Sequence, residues 1–266
     1  MKKKKKKKVF LKPDYSINMR MLDEIAFNIK RKKITINNFV DLCCAPGYHI
    51  NYIKQYYPDA KYLGFTLSKE DKGYILLNNL NKKNIIFKDI SVDILKTVQV
   101  IRQKFTTIEY FNIDCIANHI NNPSLDISYH IKVLSASLFI TLSCLSENGN
   151  LLMLYTLKNE YLYGNIFWLL SCFFEEVIPI KLLNEYVQHS VLYFKCSNRK
   201  KYTNLIKKKL EFIYLLYKTQ NIKLSNTKLY TIKFESTIEK YTKDIWDIQN
   251  KQLLKDLKSY LKKTTF

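Results

Sequence analysis

Glycine is scarce in this sequence, with five glycines in 266 residues, and none of them is spaced as G-x-G-x-x-G. This excludes the glycine-rich loop that wraps the pyrophosphate of a dinucleotide. Long apolar runs are also lacking: the longest, Ile166–Phe174, is half a membrane span and predicts a buried helix. VFLKPDY, after the N-terminal lysines, is too short and too polar for a signal-peptide core.

The cysteines lack the spacing of a metal site. No C-x-x-C pair or Cys/His pattern occurs, so no metal is predicted. We interpret all six as buried free thiols, which predicts an intracellular, reducing compartment, either cytoplasm or nucleus, in a cell or a virus-infected host. The six are Cys43, Cys44, Cys115, Cys144, Cys172 and Cys196.

Acidic residues are half as numerous as basic ones, 23 against 44, which gives a net charge of +21. The excess lies at the ends: Lys2–Lys8 carries +7 and residues 199–266 hold 17 basic and 6 acidic residues, whereas residues 9–198 hold 20 and 17. Two interpretations stay open for this charge. It binds a polyanion such as RNA, or it is solvated lysine in a composition rich in Lys, Asn, Ile, Tyr and Phe.

Apolar patterning predicts strands that alternate with helices, and hence an α/β doubly wound, mostly parallel sheet of about seven strands. The last two strands have no long helix between them and predict an antiparallel hairpin, an order typical of class I methyltransferases. Helices are expected at 16–33, 50–57, 94–105, 131–145 and 165–174. Strands are expected at 38–44, 61–67, 84–89, 113–117, 151–157, 176–182 and 190–196.

Three segments are predicted on this basis. Residues 1–15 form a basic disordered tail, residues 16–198 the methyltransferase-like domain, and residues 199–266 a basic, mainly helical C-terminal extension. The extension carries amphipathic patterns at 202–218 and 244–263.

The stretch DLCCAPGYH, residues 41–49, follows the first predicted strand and is the expected ligand loop. Asp41 closes the strand, Pro46 stiffens the loop, and Gly47 lets the backbone approach a ligand closely. A cofactor without phosphates fits this loop, and S-adenosylmethionine is the common one. Tyr48 directly after Gly47 has two possible roles, to stack on the ligand or to block the pocket.

DLCCAPG, followed by GFTL, KDI, IANH and VLYFKC, resembles the FtsJ-type ribose 2′-O-methyltransferases over residues 20–198, and most of all their mRNA-cap branch. The resemblance implies S-adenosylmethionine as cofactor and RNA as partner. It also implies that Asp89 accepts a hydrogen bond from the adenine amino group, while Leu67 and Ile90 pack on its ring. The implied cofactor residues are Asp41, Cys43, Ala45, Pro46, Gly47, Tyr48, Thr66, Leu67, Asp89 and Ile90.

That family moves a methyl group to a ribose hydroxyl with a Lys-Asp-Lys-Glu tetrad, in which charged neighbours tune a lysine. The resemblance places the four positions at Met21, Asn118, Leu154 and Val191, none of which keeps the family's residue. Asp114 is expected early in the fourth strand, in a structural role. His49 and His119 are interpreted as hydrogen-bonded histidines at the pocket edge.

We therefore predict a catalytically impaired protein of this fold that binds RNA or supports an RNA-capping or RNA-modifying protein, with no membrane partner. Two alternatives remain. One is an active ribose 2′-O-methyltransferase with a non-standard site, and the other is a non-enzymatic nucleic-acid-binding accessory subunit.

Overall fold

The structure, a computed structural model, describes most of the chain between residues 33 and 220 and parts of both ends. The described residues are 22–23, 29, 33–71, 73–115, 127–156, 160–181, 191–220, 228–230, 234–241, 243, 245, 247 and 250–251.

Seven strands form one sheet in the order β3-β2-β1-β4-β5-β7-β6. The pairs among β1 to β5 are parallel, whereas β7 runs antiparallel between β5 and β6. This is the class I methyltransferase order, so the predicted fold class and its closing hairpin are confirmed. The strands are β1 (Asn38–Leu42), β2 (Lys61–Thr66), β3 (Ile85–Phe87), β4 (Tyr110–Ile113), β5 (Asn150–Thr156), β6 (Phe174–Ile180) and β7 (Val191–Arg199).

The helices cover the sheet on both faces because the central strands are apolar on both. One face packs a large core that includes Val40, Leu42 and Phe111, and the other packs Leu22, Ile50 and neighbouring apolar residues. Among the described residues, five longer helices are α1 (Tyr48–Tyr56), α2 (Ile94–Lys104), α3 (Ile127–Cys144), α4 (Glu160–Phe173) and α5 (Asn204–Thr219). In the described part of the chain, none is long and apolar enough to cross a bilayer.

The fourth strand lies earlier than predicted. It spans Tyr110–Ile113, not 113–117, so Asp114 follows the strand and is not an early part of it. The prediction was wrong because buried Asn112 interrupts the apolar run that was used to locate the strand. Asp114 therefore lies at the carboxyl edge of the sheet, where doubly wound folds bind ligands.

Helix α5 packs against the sheet domain through an apolar stripe. Ile206 and Ile213 join the large core, and the Tyr214 ring lies 5.2 Å from that of Phe139 in α3. The Thr203 hydroxyl caps the helix by accepting a hydrogen bond from the Ile206 N–H at 3.3 Å. Residues 234–241 are also helical. The predicted segment boundary at 198/199 stays a prediction, and most of the helices predicted at 16–33 and 244–263 lies outside the described residues.

Candidate cofactor and active site

A small cleft of about 40 Å³ opens at the carboxyl edge of β1 and β4. It brings together the predicted cofactor residues of the first loop. Its lining consists of Leu22, Asp41, Cys43, Cys44, Ala45, Pro46, Gly47, Tyr48, His49, Asn112, Asp114 and Tyr193.

The loop after β1 is held by backbone hydrogen bonds to neighbouring segments. The Cys44 N–H donates to the Phe65 carbonyl at 2.8 Å, and the Leu77 N–H donates to the Pro46 carbonyl at 2.9 Å. Gly47 ends the loop with φ of 106° and precedes the first turn of α1. A Cβ at Gly47 would collide with the Leu80 side chain, so both the φ angle and the space favour glycine here.

Two buried carboxylates form the polar centre of the cleft. Asp41 and Asn112 are cross-strand neighbours in β1 and β4, and Asn112 Nδ2 donates to Asp41 Oδ1 at 2.7 Å. Burial raises the pKa of Asp41 to about 8, while the hydrogen bond from Asn112 lowers it and the charge of Asp114 raises it further. Burial also raises the pKa of Asp114 to about 7. Asp41 Oδ2 and Asp114 Oδ1 are buried acceptors with no hydrogen-bond partner among the described residues.

Asp114 shares a face of the sheet with the other polar groups. Alternate residues of a strand point to the same side of the sheet, so Asp114, two residues after Asn112, points to the same side as Asn112. The Asp114 N–H donates to the Leu42 carbonyl at 3.1 Å, which keeps this residue next to the end of β1. Ile113 pairs with Met153 in β5, so extending this parallel register by one residue sets Asp114 against Leu154. Sequence reasoning missed this placement because it set the fourth strand at 113–117.

Cys43 and Cys115 form a disulfide across the cleft loops, with Cα atoms 4.9 Å apart. The prediction that all six cysteines are free thiols is therefore wrong for this pair. The two lie 72 residues apart in sequence but follow the neighbouring strands β1 and β4, which sequence spacing did not indicate. The other four are free; Cys44 and Cys196 are buried and Cys144 and Cys172 are half-buried.

His49 is a hydrogen-bonded buried histidine, as expected. Its Nε2 lies 2.9 Å from the Tyr110 hydroxyl, and the two rings stack at 5.5 Å. Burial lowers the pKa of His49 to about 3, so the ring stays neutral at physiological pH. His119 lies outside the described residues.

The predicted adenine residues do not line this cleft. Thr66 is buried at the end of β2, and its carbonyl accepts from the Lys88 N–H at 2.8 Å. Leu67 is half-buried and Ile90 packs in the large core with 4% of its surface exposed. Asp89 is half-buried, and its Oδ1 accepts from both the N–H and the hydroxyl of Ser91 at 2.8 Å.

The described residues include two of the four positions that the resemblance matched to the family's catalytic tetrad, and both side chains are apolar and buried. Leu154 is 5% exposed and Val191 is 2% exposed, and both pack in the second core. Met21 and Asn118 lie outside the described residues. Lys181, which sequence reasoning did not consider, is buried beside one of these positions, and its Nζ donates to the Val191 carbonyl at 3.0 Å. Burial lowers the pKa of Lys181 to about 8.

The profile of the FtsJ-like methyltransferases matches residues 20–199 of this chain. No curated protein sequence matches this chain significantly. Among solved structures, a ribosomal RNA methyltransferase from Plasmodium falciparum is similar at 17% identity, covering 71% of this chain and 98% of its own, with a TM-score of 0.49.

Two further structures are similar at lower identity. The fibrillarin/Nop5p complex matches at 13%, covering 68% of this chain and 83% of that one, with a TM-score of 0.45. Human methyltransferase-like protein 13 in complex with SAH matches at 10%, covering 76% and 86%, with a TM-score of 0.43.

Proposed function

Because the chain belongs to the FtsJ-like methyltransferase family, we propose that it binds S-adenosylmethionine and RNA but is impaired in methyl transfer. One observation carries the impairment. Leu154 and Val191, matched by resemblance to the family's lysine and glutamate, are apolar and at most 5% exposed. Neither side chain can accept or hold a proton. In this proposal the protein binds RNA and supports a capping or RNA-modifying partner.

The buried carboxyl oxygens of the cleft fit this cofactor. S-adenosylmethionine carries a sulfonium and an amino group, both positive, and supplies an electrophilic methyl group when bound. Asp41 Oδ2 and Asp114 Oδ1 are buried acceptors without partners among the described residues, so each can accept a cationic group. Asp41 would hold the amino-acid end with the loop that ends at Gly47, and the turn at Asp89 would hold the adenine end.

RNA binding is supported by the exposed cations of the C-terminal region. Lys201 lies before α5, and Lys207 and Lys208 lie in its first turns, all exposed. Lysines that neutralise phosphates give affinity without sequence preference, and that affinity falls steeply with salt.

A second candidate, an active ribose 2′-O-methyltransferase with a non-standard site, is favoured by Asp114. This carboxyl lines the cleft with a pKa of about 7. A base with a pKa near the operating pH can take the proton of a hydroxyl as the methyl group arrives. Its neighbour Leu154 cannot supply the positive charge of the family's lysine, so positioning would carry the rest of the reaction.

One experiment separates the candidates. S-adenosylhomocysteine is titrated by calorimetry, and single-turnover methyl transfer is measured on capped and uncapped RNA. We expect binding without transfer. Transfer that is lost in Asp114→Asn but kept in the exposed control Asp59→Asn would establish the active enzyme and overturn the impairment. Absence of cofactor binding at any pH would favour the accessory subunit.

RNA binding is tested by neutralising charge, because α5 contributes to the core and its removal would damage the fold. The variant K201Q/K207Q/K208Q is compared with K82Q/K83Q/K104Q, which removes three other exposed lysines. The first is expected to bind RNA at least tenfold more weakly at low salt and to show a shallower salt dependence. Equal losses in both variants would contradict an RNA site at α5.

A further inference from the structure

The turn that follows β3, residues 89–93, is fixed by its own side chains and by a residue from the C-terminal region. Within the turn, Asp89 accepts from Ser91, and the Val92 N–H donates to the Asp89 carbonyl at 3.3 Å. Asp93 caps α2 by accepting from the Lys96 N–H at 3.1 Å. These bonds set the internal shape of the turn, but they do not fix its position relative to the rest of the protein.

Tyr217 of α5 supplies such a contact. Its hydroxyl lies 3.0 Å from the Ser91 carbonyl and 3.3 Å from the Val92 carbonyl, and donates to this pair. Burial raises the pKa of Tyr217, so the phenol stays protonated and remains a donor. Ser91 is fully buried, whereas Val92 is 66% exposed, so the hydroxyl joins α5 to the turn at the point where it reaches the surface.

Helix α5 is anchored well enough to serve as a support. Ile206 and Ile213 pack in the large core, and Lys209 Nζ lies 3.9 Å from the centre of the Trp168 ring in α4. The Tyr214 ring lies 5.2 Å from that of Phe139, tilted by 46°, and 6.2 Å from that of Tyr217. The Tyr217 hydroxyl thus extends from a helix whose position is fixed by the core.

We infer that Tyr217 is a positioning residue for the adenine end of the cofactor site, acting through the turn that carries Asp89. The inference rests on the proposed function, since it assumes that this turn holds adenine. It also means that α5, which begins five residues beyond the family match that ends at 199, is a structural part of the cofactor site. A hydrogen bond to the turn limits the orientations of the Asp89 carboxylate before the ligand arrives.

The test uses the full chain and two matched variants on one helix, Tyr217→Phe and Tyr214→Phe. Each removes one hydroxyl and keeps the ring. Calorimetry gives the Kd of S-adenosylhomocysteine and of its 6-oxo analogue, S-inosylhomocysteine, which lacks the adenine amino group. For Y217F we expect about three- to tenfold weaker binding of S-adenosylhomocysteine and a smaller preference over the analogue. Y214F should keep both values within about twofold of wild type.

A second measurement separates positioning from general stability. Hydrogen exchange of the peptide that contains residues 89–93 should be faster in Y217F than in Y214F, without ligand. A lower Tm in Y217F with wild-type exchange and an unchanged ligand preference would overturn the inference. If wild type binds neither ligand while exchange still responds to Y217F, the proposed function fails and the contact between α5 and the turn stands.

Discussion

Replacement of Asp41 by asparagine is expected to stabilise the protein at pH 8 while weakening cofactor binding. The folded pKa of Asp41 is about 8, raised from 3.8 mainly by burial. Because the folded state holds this proton more tightly than the unfolded chain, wild-type stability falls as pH rises from about 4 to about 8. A neutral amide at this position carries no such penalty and can still accept the bond from Asn112.

The magnitude follows from the displacement of the pKa. Four pH units at about 1.4 kcal/mol each give an upper value of about 6 kcal/mol for Asp41→Asn at pH 8, and almost none at pH 4. In a chain of this size the gain corresponds to a rise in Tm on the order of 10 °C. Asp114→Asn should also stabilise the protein more as pH rises, but its gain in stability should stop growing about one pH unit lower, because the pKa of Asp114 is about 7.

Thermal unfolding between pH 5 and pH 8 measures this effect, with the exposed Asp59→Asn as control. The Tm difference between D41N and wild type should grow with pH, whereas that of D59N should stay small. Calorimetry at pH 8 should show binding of S-adenosylhomocysteine at least tenfold weaker in D41N, because a neutral amide cannot form an ion pair with the positive amino group of the ligand. A Tm difference that does not change with pH would refute the reasoning.

Three further tests concern the loop after β1 and the residues near it. Gly47→Ala should lower stability by about 2 kcal/mol in denaturant unfolding, because φ is positive and Leu80 fills the space. Peptide mapping without reductant should recover Cys43 linked to Cys115, and a thiol reagent should label both after reduction; their separate recovery before reduction would contradict the pairing. Leu154→Lys should lower the free energy of unfolding by about 1–3 kcal/mol more in the D114N variant than in wild type, because D114N removes the carboxylate that could pair with the new lysine. A double-mutant cycle measures this coupling.

The fold could be predicted from the sequence because the patterns that indicate each strand and helix lie within short segments. Mostly apolar runs such as FVDL in β1 and LLMLY in β5 predict buried parallel strands, and the short connection before β7 predicts an antiparallel end. The fourth strand was misplaced because Asn112 is a buried polar residue that packs against Asp41, a partner 71 residues away. Apolar periodicity contains no information on such a pair.

The same limit applies to the candidate site. The loop from Asp41 to Tyr48 could be found because its residues are contiguous, and it does line the cleft. The placement of Asp114 and the disulfide from Cys43 to Cys115 depend on contacts between β1 and β4, which are far apart in sequence. The buried Lys181 depends on the pairing of β6 with β7, since its amino group donates to the Val191 carbonyl. Only the sheet order brings them together at one edge.

Cofactor binding and methyl transfer make separate demands on this edge of the sheet. In the proposed function, binding uses Asp41 and Asp114 as buried acceptors for a cationic ligand, and their burial has a cost in stability. Transfer needs a tuned base and a charged neighbour, but the neighbour of Asp114 on β5 is Leu154. In the proposed function, these two carboxylates serve cofactor binding and not methyl transfer. The L154K cycle tests this argument directly, since coupling to Asp114 would show that the site can still accommodate the charge it lacks.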